Sequence, residues 1–301
     1  MATSITLRQL EYFVAIARYG SMARAASLLH VSAAAVSLGV SQLERTLECD
    51  LFLRRPHQPL LLTSAGRDLL VRAVTIVADA EEMERMATHR TGSLAGTVYV
   101  GCFDTLAPFL VPQLLAVAGE QYPELVIDVT EGQSDLLQDA LMDGTTDFAI
   151  LYGLDVRPVL RTEVVWTMHP YVVLSADHPL ADETSIRLAQ LGDEPMVLLD
   201  SPPSRNHVLA ALDAAGVTPT QTRVTHNFET LRSLVARGFG WGVLVQHPEV
   251  DASYEGLPLR RVQIADPVQP APVVVATIAA ATLSRRTLAC IEMIRSLHLA
   301  V

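Results

Sequence analysis

Lysine is absent from this 301-residue chain, and all 22 of its Lys/Arg cations are arginine. Guanidinium favours bidentate contacts to phosphate and guanine, and a bias in genome composition explains the pattern equally well. Cysteine is scarce too. Cys49, Cys102 and Cys290 lie far apart and are odd in number, which excludes a disulfide framework and a Cys-x-x-Cys metal pair and suits a reducing cytoplasm. No run of about eighteen apolar residues occurs, so no membrane span is expected. The most apolar stretch, Pro272 to Leu283, is short and interrupted by Thr277. The N-terminus lacks the basic segment and apolar core of a secretory signal. Also missing are Gly-x-Ser-x-Gly, a Walker loop, a dinucleotide fingerprint and His-x-x-x-His spacing. No catalytic set, metal site or cofactor is therefore expected, and the chain does not read as an enzyme.

Half of the residues are hydrophobic and 18% are charged, enough apolar material for cores and too much for global disorder. The length exceeds what one core usually organises, so two or three domains are expected. The net charge of −11 is unevenly divided. Residues 1–62 hold Arg8, Arg18, Arg24, Arg45, Arg54 and Arg55 against Glu11, Glu44, Glu48 and Asp50, a small cationic surplus. The rest is strongly acidic. A cationic head on an acidic body keeps the body off nucleic-acid phosphates while the head docks.

The head has a definite pattern. Ser21 and Ser32 stand where N-caps are needed, Gly20 can close the preceding helix, and His30-Val31 reads as a tight turn. Ala25, Leu28 and Leu29 would form the buried face of a first short helix. Val36, Val40, Leu43 and Leu47 would form that of a second. Ala33, Ala34, Ser37, Leu38, Ser41 and Gln42 are left facing out. Small uncharged residues there let a helix approach base-pair edges closely. Upstream, Leu7, Leu10, Phe13, Val14 and Ala17 make a stripe that completes a three-helix core. Downstream, Leu51–Arg55 and Leu60–Thr63 are strand-like and flank Pro56-His57-Gln58-Pro59, a two-stranded wing. This is a winged helix-turn-helix arrangement.

Taken together, Leu7-Arg-Gln-Leu-Glu-Tyr-Phe, Gly20-Ser, Arg24-Ala-Ala, Leu29-His-Val-Ser32, Ser37, Gln42-Leu-Glu44, Leu51-Phe-Leu-Arg54 and Leu62-Thr-Ser-Ala-Gly66 resemble the LysR-type transcriptional regulators. The landmarks Gln121-Tyr-Pro-Glu-Leu, Glu131-Gly, Gly144-Thr-Thr-Asp-Phe-Ala-Ile150, His178-Pro-Leu-Ala181 and Leu234-Val-Ala-Arg-Gly-Phe-Gly240 extend the likeness over nearly the whole chain. The fold class expected is multidomain: a winged helix-turn-helix (residues 1–65), a long linker helix (66–90) and a two-lobed α/β effector domain (91–301). The last is similar in fold to type 2 periplasmic binding proteins. Lobe I is expected at about 91–161 and 268–301, and lobe II at about 162–267. The head departs from the family pattern at Ala33-Ala34, where a Gln-Pro pair is common, and at Leu38-Gly39, where polar residues are common. Leu38 can touch a thymine methyl but donates no hydrogen bond, so the wing and DNA shape are expected to contribute more.

The resemblance implies sequence-specific binding of double-stranded DNA at pseudo-palindromic promoter sites. It also implies contact with RNA polymerase and control by a small effector, often a carboxylate, between the lobes. Readout is expected from Ala33, Ala34, Ser37, Leu38 and Ser41. Positioning on phosphates falls to Arg24, Ser32, Gln42, Arg54 and Arg55, with His57 at the wing tip. Leu69, Ala73, Ile76, Ala80, Met83 and Ala87 alternate spacings of four and three, the seam of a coiled coil, which suggests a homodimer or homotetramer. Leu70, Val74 and Val77 form a second line that can face the winged domain. In the effector domain, Cys102, Phe103, Asp104 and Thr105 stand where a strand ends and a helix begins, a place that favours polar ligands. Gly132, Gln133, Ser134, Asp200, Ser201, Phe228 and Glu229 stand at comparable strand ends. The acids Asp104, Asp200 and Glu229 would repel a carboxylate, so either some turn away or the ligand carries a basic or hydroxyl group. Two other readings, a solute-binding transport module and a hydrolase or transferase using Cys102, leave residues 1–62 unexplained or lack a nucleophile–base set.

Overall fold

The computed structural model describes residues 4–53, 60–87 and 94–299, the side chains of 82 and 84–87 excepted. Arg54, Arg55 and His57 therefore lie outside the described residues. Helix α1 (Leu7–Tyr19) opens on a reciprocal cap: the Thr6 hydroxyl accepts from the Gln9 backbone, and the Gln9 side chain accepts from the Thr6 N–H. It closes at Gly20, whose φ of 64° is left-handed and suits a residue without Cβ. Ser21 caps α2 (Met22–Leu28), and Ser32 caps α3 (Ala33–Leu47). The chain bends by 111° between these two, within the helix-turn-helix range.

Phe13, Ile16, Ala25, Val36, Val40, Leu43 and Leu51 are completely buried in the head. Each of the larger ones contributes about 1.5–3 kcal/mol of hydrophobic stabilisation. Leu28, expected inside, is exposed, because the buried stripe of α2 centres on Ala25 and Ala26 and turns Leu28 outward. Gly39 is not part of the outward face. It is buried, and a Cβ there would stand 2.6 Å from the Tyr12 ring, so glycine is what lets α3 close on α1. The short antiparallel wing pairs β1 (Phe52–Leu53) with β2 (Leu61–Leu62).

Helix α4 (Ser64–Ala87) packs its Leu70 line against the head, with Leu69, Val74 and Val77 partly covered. Ala73 joins that buried line and is not on the expected free seam. It lies one turn from both Leu70 and Val77, and its small side chain lets α4 settle onto the head. Ile76 and Met83 remain exposed.

The effector domain begins with β3 (Gly96–Phe103), α5 (Ala107–Gln121), β4 (Leu125–Gly132), α6 (Ser134–Met142), β5 (Phe148–Tyr152) and β6 (Leu160–Met168). The chain then crosses to lobe II. There it forms β7 (Tyr171–Ser175), β8 (Ser185–Ile186), β9 (Met196–Leu199), α7 (Ser204–Ala214), β10 (Thr222–Thr225), α8 (Phe228–Ala236), β11 (Gly242–Leu244) and β12 (Leu259–Ile264). It returns as β13 (Ala271–Ile278) and α9 (Arg285–Ser296). Lobe I is a five-stranded mixed sheet in the order β4-β3-β5-β13-β6, and lobe II holds β11-β7-β12-β8 beside the parallel pair β9–β10. Residues 162–168, expected to open lobe II, belong to lobe I with the rest of β6, which runs antiparallel to β13 along its whole length. The first crossing is therefore at His169-Pro170, some eight residues later than the expected lobe boundary near 161.

Head and lobe I meet directly. Arg18, at the end of α1, forms a salt bridge with Asp147 at 3.0 Å, both about nine-tenths buried, and lies over the Tyr99 ring at 3.9 Å. The other Asp147 oxygen accepts from the Tyr99 backbone N–H, and the Tyr19 and Tyr99 hydroxyls are 2.8 Å apart. Lower down, Arg286 pairs with Glu81 at 2.5 Å, and the Thr75 hydroxyl donates to the Thr282 carbonyl. Arg18 therefore contributes nothing to a phosphate-binding surface.

Candidate DNA-reading face and effector cleft

The residues expected to read DNA lie at the N-cap and along the first two and a half turns of α3. Ser32, Ala33, Ala34, Leu38 and Gln42 are exposed, and Ser37 and Ser41 are half-buried. The helix is held from behind by Val36, Val40 and Leu43, so its outer residues are rigidly presented. Arg24 is exposed on α2, over the Tyr19 ring at 5.3 Å. Glu44, counted in the sequence only as an acid, turns inward instead. Its carboxylate accepts from the Leu51 and Phe52 backbone N–H groups and ties the wing to α3. Its place one residue after Leu43, beside a buried stripe, is the only local sign of that role.

Between the lobes lies a cavity of about 700 Å³. Of the expected effector residues, Asp104, Thr105, Phe228 and Glu229 line it. Cys102 and Phe103 do not. Strand β3 runs on through both, so they are completely buried in the lobe I core, and Phe103 packs edge-on against Tyr152. Burial pushes the Cys102 thiol far up, with Glu131 and Asp104 adding to the effect, and burial pushes Cys290 up to about 12. Neither is a thiolate at neutral pH.

Thr105 does not cap the helix that follows it: α5 starts two residues later without a side-chain cap. The Thr105 hydroxyl instead accepts from Gln246 Nε2 at 2.7 Å, and the same amide reaches the Tyr152 hydroxyl. Gly132 ends β4 beside Phe103. Gln133 crosses the lobes: its amide donates to Asp104, and its carbonyl accepts from the Ser201 hydroxyl at 3.0 Å. Ser134 is buried and accepts from Gln138. Asp200 turns away from the cavity to pair with Arg205 at 3.1 Å.

Several lining residues carried no signal in the sequence. Arg232 is 2% exposed on α8, where its position beside Leu231 and Val235 gives no hint of an internal charge. It is held by Glu229 and by the carbonyls of Val250 and Ala252. The segment from Pro248 to Tyr254 is irregular and lies far along the chain from the other walls. Phe109 meets Phe228 edge-on across the cleft, with ring centroids 6.3 Å apart.

Residues 7–67 match the family model described as bacterial regulatory helix-turn-helix protein, lysR family, and residues 91–298 match the LysR substrate binding domain. The chain belongs to the LysR family. It is similar to the hydrogen peroxide-inducible genes activator of Haemophilus influenzae, with 27% identity over 84% of this chain and 83% of that protein. Among solved structures it resembles HinK, a LysR family transcriptional regulator from Pseudomonas aeruginosa. That match has a TM-score of 0.65 and 31% identity, over 97% of this chain and 98% of the other. A full-length OxyR variant from Pseudomonas aeruginosa matches with a TM-score of 0.76 and 26% identity, over 97% of each chain. This LysR-family chain is thus a DNA-binding transcriptional regulator with an effector-binding domain, and not an enzyme. Among the described residues no single helix is long and apolar enough to cross a membrane.

Proposed function

We propose that α3 enters the major groove of duplex DNA with Ala33, Ala34, Ser37, Leu38 and Ser41 against base edges. Ser32, Gln42, Arg24, Arg54, Arg55 and His57 hold the surrounding phosphates. The observation that carries this reading is the split character of α3: its rear is completely buried, and its exposed front has no charged side chain between Ser32 and Gln42. Such a front approaches bases without an unpaired buried charge. With few donors on the helix, selectivity comes largely from DNA shape and the wing.

Pairing of two heads on a pseudo-palindromic site would use α4, where Ile76 and Met83 are exposed at a spacing of seven and Ala80 lies between them. Leu69 would extend that line towards the head, with Ala87 at its far end, and Ala73 is left to the head's own core. A dimer or tetramer built this way would act in the cytoplasm, with RNA polymerase as the downstream partner. The interlobe cavity would bind the small effector, and control would follow from unequal affinity for two arrangements of the lobes.

Fluorescence anisotropy on promoter duplexes tests the reading face. Ala34→Glu places a negative charge against the phosphates and is expected to weaken binding by at least tenfold, with the melting temperature nearly unchanged because the site is exposed. Unaltered affinity for both promoter and random duplexes would place the DNA surface elsewhere.

A further inference from the structure

The interlobe cavity is electrically unbalanced, and the imbalance bears on what it binds. Three carboxylates line it, Asp104, Glu131 and Glu229, against a single guanidinium, Arg232. That guanidinium is already committed. Its Nε donates to Glu229 at 2.9 Å, and its Nη2 donates to the carbonyls of Val250 and Ala252. Glu229 is neutralised within the wall and also accepts from the Tyr254 N–H. Among the described residues the Asp104 carboxylate accepts from the neutral amide of Gln133 alone. Glu131 is exposed, and among the described residues neither it nor Asp104 is in an ion pair.

A second feature lies in the wall of the same space. Ser253 is 5% exposed and lines the cavity, yet its hydroxyl has no hydrogen-bond partner. A buried hydroxyl left in that condition is costly unless a bound group satisfies it. The apolar part of the lining is supplied by Phe109 and Phe228 with Pro108 and Pro248. The N-terminal ends of α5 and α8 face the cleft and would favour an anion. The chain already sets its own carboxylates there: Asp104 lies just ahead of α5, and Glu229 is in the first turn of α8, which Asn227 caps.

We propose that the cleft takes an effector carrying a protonated amine on an apolar ring. Asp104 and Glu131 balance its ammonium. The ring lies against Phe109 and Phe228. A carboxylate of the same shape would face two like charges, with Arg232 already paired and His226, beside Asp200, the other basic group of the lining. This assignment rests on the reading of the cleft as the effector site.

Calorimetry on the full-length chain with phenethylamine, 2-phenylethanol and phenylacetate tests it, since these share one ring and differ in charge. Phenethylamine is expected to bind at least tenfold more tightly than phenylacetate, and the preference should shrink as salt rises. Glu131→Gln and Asp104→Asn, each checked for folding by circular dichroism, should each cut amine affinity about tenfold and leave the alcohol unaffected. Tighter binding of phenylacetate, indifference of the amine to both substitutions, or no amine binding at millimolar concentration overturns the assignment. Ala252→Trp, which fills the cavity, separates the two levels. If phenylacetate binds and is lost in Ala252→Trp, the cleft is the effector site and the charge assignment alone fails. If the ring ligands bind Ala252→Trp as they bind the parent chain, the cleft reading itself fails.

Discussion

The seam between head and lobe I and the seam between lobe I and lobe II are made of different chemistry. The first contains a buried ion pair, Arg18 with Asp147, wrapped by the Tyr99 ring and the Tyr19–Tyr99 hydroxyl contact. Among the described residues the second is joined by neutral contacts: Gln133 to Ser201, Gln246 to Thr105 and Tyr152, and the edge of Phe109 on Phe228. Separating a buried ion pair leaves two uncompensated charges in a poorly solvated place. Separating neutral hydrogen bonds costs far less, because water replaces each partner. The lobes are therefore expected to move against each other more readily than the head moves against lobe I.

The sharpest way to break this contrast is Arg18→Ala. It strands the Asp147 carboxylate and is expected to cost about 3–5 kcal/mol, measured by denaturant unfolding. A loss below about 1 kcal/mol, the scale of an exposed pair, would mean the seam is open in solution. Next in size is Gln133→Ala, which removes one link between the lobes and costs about 1 kcal/mol. Its main effect should appear in small-angle scattering as a more open effector domain, with DNA affinity retained. If scattering is unchanged, Gln133 is not part of what holds the lobes closed. The smallest effect concerns pH. Burial, and then the hydrogen bond to Tyr99, raises Tyr19 from 10.0 to about 12. The contribution of this proton is fully present below about pH 10 and is lost as pH rises towards 12, where the folded chain must also give it up. Tyr19→Phe should remove that alkaline slope from the melting curve, and persistence of the slope would assign it to another group.

The same contrast accounts for what the sequence could and could not convey. The caps Ser21 and Ser32, the turn glycine Gly20 and the spacing of Val36, Val40 and Leu43 act within a few residues, so the head was legible down to its helix ends. Even there, the role of Gly39 was hidden, because it depends on the ring of Tyr12 in another helix. Strand β6 was assigned to the wrong lobe because its partner β13 lies about a hundred residues later. Ala73 fitted a coiled-coil seam equally well by spacing, and only packing against the head decided between the two lines. In the cleft, Asp104 and Thr105 were visible as a strand end. Arg232 and Ser253 were not, because one hides in an apolar helical pattern and the other in an irregular segment.

The burial of Arg18 also bears on how the regulator responds to ionic conditions. Each guanidinium that reaches a DNA phosphate sets free condensed counterions, and that release gives binding its steep salt dependence. Arg18 is already neutralised in a buried pair by its own chain, so the gradient of affinity against salt should be shallower than the basic residue count implies. Occupancy of the operator would then hold up better under osmotic upshift than it would for a head with that charge free.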